Sequence, residues 1–134
     1  MFARLAFVLS ALATVALAVA APPQCDRYYV VEAGDNCDII SAKTNSSTYQ
    51  LARVNTGIIN TQCTDLTVGE LICLGLEGQD CEVTHVVQSD EVCVDIANET
   101  GTTLSILLAN NPNVDSECSN IYPGEVSLAQ LFSL

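Results

Sequence analysis

Two stretches of the sequence decide its architecture when set one above the other: CDRYYVVEAGDNCDII at residues 25–40 and CEVTHVVQSDEVCVDI at residues 81–96. A shift of 56 residues brings Cys25 onto Cys81, Cys37 onto Cys93, Val30-Val31 onto Val86-Val87 and Ile40 onto Ile96. The register continues outward. Thr44 falls on Thr100, Leu51 on Leu107 and Asn55 on Asn111; after one deletion near Gln62, Cys63 meets Cys118, and Gly69-Glu70 meets Gly124-Glu125. Cysteines, glycines and apolar positions matched in one register mark an internal repeat. The one conspicuous mismatch is Cys73, which meets Leu128.

Each copy reads locally in the same order. A β-rich run (Tyr28–Val31; Thr84–Val87) precedes a polar turn in which Asp35 or Asp90 is expected to cap a helix. That helix is expected over Cys37–Lys43 or Cys93–Glu99, and a second over Tyr49–Val54 or Leu104–Ala109. An Asn-led loop, a cysteine, a Gly turn and a last strand (Glu70–Leu74; Glu125–Leu128) close the unit. The fold class is therefore α+β: two small tandem strand–helix–helix–strand domains stapled by disulfides. The boundaries read as 21–75 and 81–134, joined by a linker at 76–80. With two glycines and two acids, Gly75–Asp80 reads as short and flexible.

Residues 1–20 stand apart. Arg4, an apolar run from Leu5 to Ala20, and Ala18-Val19-Ala20 before Ala21-Pro22-Pro23 have the layout of a cleaved secretory signal peptide. The run is short and Ala-rich for a membrane anchor. About 114 of the 134 residues would then remain, with Arg27, Lys43 and Arg53 against all 16 acids, a net charge of −13. Such a surface repels nucleic acid and anionic lipid, so neither partner is expected, whereas a neutral polymer is compatible.

All seven cysteines follow the signal segment, which in a short secreted chain reads as a disulfide framework rather than metal ligation. No metal or cofactor is expected. His85, the single histidine, aligns with Tyr29 and reads as a strand residue. The acids are scattered and no histidine or lysine base pairs with a nucleophile, so no catalytic residues are assigned. Asn45-Ser46-Ser47 and Asn98-Glu99-Thr100 are glycosylation acceptor triplets, with Asn45 favoured because Thr44–Thr48 is polar and loop-like.

The ordered set Tyr29, Val31, Gly34-Asp35-Asn36-Cys37, Ile40, Leu51, Asn55, Cys63, Leu66, Gly69 and Cys73 resembles a LysM domain of the cysteine-containing kind found in secreted fungal proteins. Val87, Cys93, Ile96-Ala97, Leu107, Asn111-Pro112, Cys118, Ile121 and Gly124 repeat the pattern. The resemblance implies a protein without catalytic activity that binds chitin or N-acetylglucosamine oligomers, peptidoglycan being the weaker partner. It would work outside the cell or in the wall, shielding wall chitin or sequestering chitin fragments in the manner of a fungal effector. The alternative is a structural or interaction protein of the cell surface whose repeats have lost sugar binding.

By the same resemblance sugar lies in a shallow groove between two loops. In the first copy these are Gly34-Asp35-Asn36 and Asn55-Thr56-Gly57-Ile58-Ile59. In the second they are Asp90-Glu91-Val92 and Asn111-Pro112-Asn113-Val114-Asp115, of which Asn111–Val114 is the better-kept half. The second copy lacks the glycine that permits positive φ in loop one, and the first lacks the proline of loop two, which favours the first copy as the binder. Antiparallel pairing of the outer strands would bring Cys25 beside Cys73 and leave Cys37 near Cys63, one of three pairings that four cysteines allow. Cys93 then pairs with Cys118. Cys81 is left as a free thiol, open to forming a covalent homodimer.

Overall fold

The computed structural model describes residues 24–80 and 82–129. The segment read as a signal peptide and Cys81 lie outside them. Eight elements follow in two identical series: β1 (Cys25–Val30), α1 (Cys37–Thr44), α2 (Thr48–Val54) and β2 (Leu71–Leu76), then β3 (Thr84–Val86), α3 (Cys93–Glu99), α4 (Leu104–Asn110) and β4 (Val126–Leu128). Among the described residues no helix is long and apolar enough to cross a membrane.

Each repeat closes on itself. Strands β1 and β2 pair antiparallel with Tyr28 opposite Cys73 and Val30 opposite Leu71. Strands β3 and β4 pair the same way, with Thr84 opposite Leu128 and Val86 opposite Val126. The helix pair covers this two-stranded sheet, because a lone hairpin buries too little to persist. Val31, Cys37, Ile40, Leu51, Ile59, Ile72 and Leu74 form the first core. Val87, Cys93, Ile96, Ala97 and Leu107 form the second, so four positions recur at the 56-residue shift.

Among the described residues three disulfides brace this frame: Cys25–Cys73, Cys37–Cys63 and Cys93–Cys118, with Cα atoms 5.8, 5.8 and 6.0 Å apart. The first joins the outer strands. The other two tie the start of the first helix in each repeat to the long loop after the second.

The helix starts correct one expectation. Asn36, not Asp35, caps α1, its side chain accepting from the Ile39 amide at 2.8 Å. Asp90 does not cap α3 either; Val92 stands at that position with no side-chain bond. Both acids sit earlier in the turn, and the Asp35 carboxylate is already engaged by Tyr29 and Lys43.

The join between repeats is also held rather than loose. Leu76 belongs to β2, the Glu77 amide donates to the Gln24 carbonyl at 2.8 Å, and Asp80 is pinned. Arg27 grips both Asp80 oxygens while its Nη1 donates to the Thr44 carbonyl, and Gln50 Nε2 donates to Asp80 Oδ1 at 2.7 Å. A Cβ at Gly75 would overlap the Asp80 side chain, so the glycine here makes room rather than slack.

Thr48 links the two repeats. Its hydroxyl accepts from the Val126 amide at 3.1 Å and donates to Asp38 Oδ1 at 2.8 Å. Tyr122 Oη donates to the same Asp38 oxygen at 3.3 Å, and burial together with Asp38 pushes the Tyr122 hydroxyl up to about 12. β4 thus serves its own sheet and rests against the first repeat.

Candidate functional site

The two loops of each repeat are built by different devices. Loop one of the first repeat turns at Gly34, with φ +92°. Asp35 then folds back beneath it: its carboxylate accepts from the Glu32 amide and from Tyr29 Oη, both at 2.8 Å, and from Lys43 Nζ at 2.9 Å. The Glu32 amide first, then Lys43 and Tyr29, hold this carboxyl below its usual range. With its side chain only 2% exposed, Asp35 shapes the loop from within. Gly34 and Asn36 are the exposed members.

Loop one of the second repeat keeps this shape with different residues. Asp90 takes the place of Gly34 and adopts φ +66°, a left-handed conformation that aspartate tolerates better than most residues. The missing glycine therefore does not change the course of the backbone. Glu91 takes the place of Asp35, accepting from the Gln88 amide at 2.6 Å and lying 2.9 Å from His85 Nε2. Those two contacts, the amide first, hold the Glu91 carboxyl down.

Loop two starts from a buried asparagine in both copies. Asn55 Nδ2 donates to the carbonyls of Leu51 (2.8 Å) and Cys73 (2.6 Å), while its Oδ1 accepts from the Cys73 amide at 2.7 Å. Asn111 does the same with Leu107, Leu128 and the Leu128 amide, at 2.8, 2.9 and 2.8 Å. Both side chains are spent on backbone and anchor the loop. What they carry outward is Thr56, Gly57 (φ +90°) and Ile58 in the first copy, and Pro112 and Asn113 in the second. Ile59 turns into the first core, and Val114 packs half-buried on the second. Of the sequence-derived groove residues, the exposed set is therefore Gly34, Asn36, Thr56, Gly57, Ile58, Asp90, Val92, Pro112 and Asn113.

The sequence reading missed a cleft between the repeats. It has a volume of about 790 Å³, with Tyr49, Arg53 and Thr56 on one wall and Asn113, Tyr122 and Glu125 on the other. Each repeat contributes an exposed loop-two residue, Thr56 or Asn113. Glu125 is 4% exposed, accepts from Asn113 Nδ2 at 2.6 Å, and has its carboxyl raised by burial. The repeated Asn-led loops point to the lining residues; no local pattern announces that they meet.

The LysM domain model matches residues 29–75 and 85–126, one match on each half of this frame. The chain belongs to the LysM domain family. Among its LysM relatives is the secreted LysM effector LysM1 of Trichophyton rubrum, 28% identical over 123 residues, covering 75% of this chain and 48% of the relative. A secreted LysM effector of Pochonia chlamydosporia is 31% identical over 98 residues, covering 73% and 14%. The secreted LysM effector Blys2 of Beauveria bassiana is 28% identical over 121 residues, covering 73% and 29%. This chain spans less than half the length of each of these LysM proteins.

Proposed function

We propose that the protein is a secreted carbohydrate-binding effector without catalytic activity, and that its ligand is chitin or N-acetylglucosamine oligomers. The observation that carries the reading is the pair of exposed second loops, standing on buried asparagines and meeting at one cleft. A flat neutral sugar needs hydrogen-bonding groups at fixed positions and an apolar face nearby. Thr56 and Asn113 supply polar groups in the cleft and Tyr122, 46% exposed, an apolar ring face there. Ile58, 38% exposed, adds an apolar group on the same loop as Thr56 but outside the cleft lining. The acidic surface suits an uncharged polymer. Membership of the LysM family and the secreted effectors among its relatives support secretion and the effector role, with chitin shielded or its fragments sequestered.

The second repeat takes part on this reading, since Asp90 keeps the loop-one backbone and Asn113 faces the cleft. Without tryptophan for ring stacking, single contacts are weak and the two repeats act together. Retention on insoluble chitin, followed by calorimetry with chitin oligomers, tests this. The full chain is expected to bind, and Ile58→Asp and Asn113→Ala each to weaken binding. A chain that does not bind chitin at all would turn the reading toward a structural or interaction protein of the cell surface.

A further inference from the structure

Corresponding corners of the two repeats differ in charge, because Lys43 of the first is Glu99 in the second. In the first, Tyr29 on β1, Asp35 in loop one and Lys43 near the end of α1 converge, with the Lys43 ammonium 2.9 Å from Asp35 Oδ1 and 3.4 Å from Tyr29 Oη. Hydrogen bonding to Asp35 and then Tyr29 raises the Lys43 amine. That corner is built around a cation.

The 56-residue shift turns these three residues into His85, Glu91 and Glu99. The supporting geometry survives: Glu91 keeps the backbone amide of the turn and keeps its strand partner, as Asp35 does. Only the internal cation is gone, replaced by a third potential ligand. One imidazole nitrogen and two carboxylates, all with donor atoms within 4.8 Å of one another, meet at the corner that corresponds by the 56-residue shift to that of Lys43.

We propose that this corner is a divalent-cation site, with zinc the best fit. Imidazole and carboxylate are ordinary zinc ligands, and a dication offsets the two carboxylates as Lys43 offsets Asp35. Donors on a tetrahedral zinc stand roughly 3.3 Å apart. His85 Nε2 lies 3.1 and 2.9 Å from the two Glu91 oxygens, a hydrogen bond whose proton zinc would displace as Nε2 and one oxygen become its ligands. Glu99 is exposed at the last position of α3, where side-chain rotation covers the remaining distance, and water fills the fourth position. The site lies outside the cleft, with Glu91 in loop one of the second repeat.

The test is a titration of the full, tag-free protein with zinc chloride, read by calorimetry and by the imidazole proton resonances. His85 is the only histidine, so those resonances report this site alone. One saturable zinc is expected, with a shift of the His85 signal. Loss of a supporting contact alone costs a metal site about tenfold in affinity, so His85→Tyr/Glu99→Lys, which installs the first repeat's own residues, should lose at least that much. Glu99→Lys alone should weaken binding while leaving the imidazole to be observed. An unmoved His85 signal in the wild type overturns the proposal, whether or not the variants fold, and so does equal zinc affinity in a folded double variant.

Discussion

Arg27 Nη2 lies 2.8 Å from Asp80 Oδ1 and Arg27 Nε bonds Oδ2, so a first-strand guanidinium holds a carboxylate 53 residues away in a two-pronged grip. Gln50 reaches the same carboxylate and also the Leu74 carbonyl. The end of the first repeat, the join and α2 are thereby one hydrogen-bonded assembly.

Asp80→Asn should destabilise the protein at neutral pH by about 1.5–3 kcal/mol, the range for hydrogen bonds to charged groups. Burial opposes ionisation of Asp80, but Arg27 and Gln50 win and hold its carboxyl below the usual value. A depressed folded-state pKa gives stability that is present above the unfolded value of about 3.9 and lost as pH falls through the folded one. The difference between wild type and Asp80→Asn in urea melts should therefore be full at pH 7 and shrink below about pH 4. A constant difference across that window would contradict the ion-pair account.

Glu125 should behave in the opposite sense. Burial raises its carboxyl, so the ionised form weakens the folded state above the folded pKa, and the penalty disappears below the unfolded value of about 4.3. Glu125→Gln keeps an oxygen for the Asn113 amide and removes the charge. Its thermal midpoint at pH 7 should equal or exceed that of the wild type, and the gain should vanish near pH 4. A variant markedly less stable at pH 7 would show that the negative charge is needed for docking the repeats.

Among the described residues the first repeat holds two disulfides and the second holds one, Cys93–Cys118. Replacing both its cysteines by serine should cost about 2–5 kcal/mol. Native-state hydrogen exchange should then show α3 and α4 losing protection well before α1 and α2. Equal loss across both repeats would mean that contacts such as Thr48–Val126 couple them into one unfolding unit.

The repeat, its cores and its element order were legible because apolar spacing and cysteines recur in one register. Val31 and Val87, or Leu51 and Leu107, announce themselves twice. The cap at Asn36 was less legible, since adjacent Asp35 and Asn36 are both good caps by type and only the pull of Lys43 and Tyr29 decides between them. Asn55 and Asn111 looked like sugar ligands by position; burial, which no local pattern reveals, makes them anchors. Composition made the join look slack, and the contact that stiffens it spans 53 residues. The cleft and the His85 corner depend on the same kind of long-range placement.

The asparagine anchor bears on how the two copies have diverged. Asn55 addresses the amide and carbonyl of residue 73, and Asn111 those of residue 128, and these bonds use main-chain atoms of that residue. A grip on main-chain atoms alone is blind to substitution there. The last strand keeps its register whether the position holds Cys73, bonded to Cys25, or Leu128, which is buried and apolar. A substitution at this position can thus exchange a covalent link for packing without costing the strand its register.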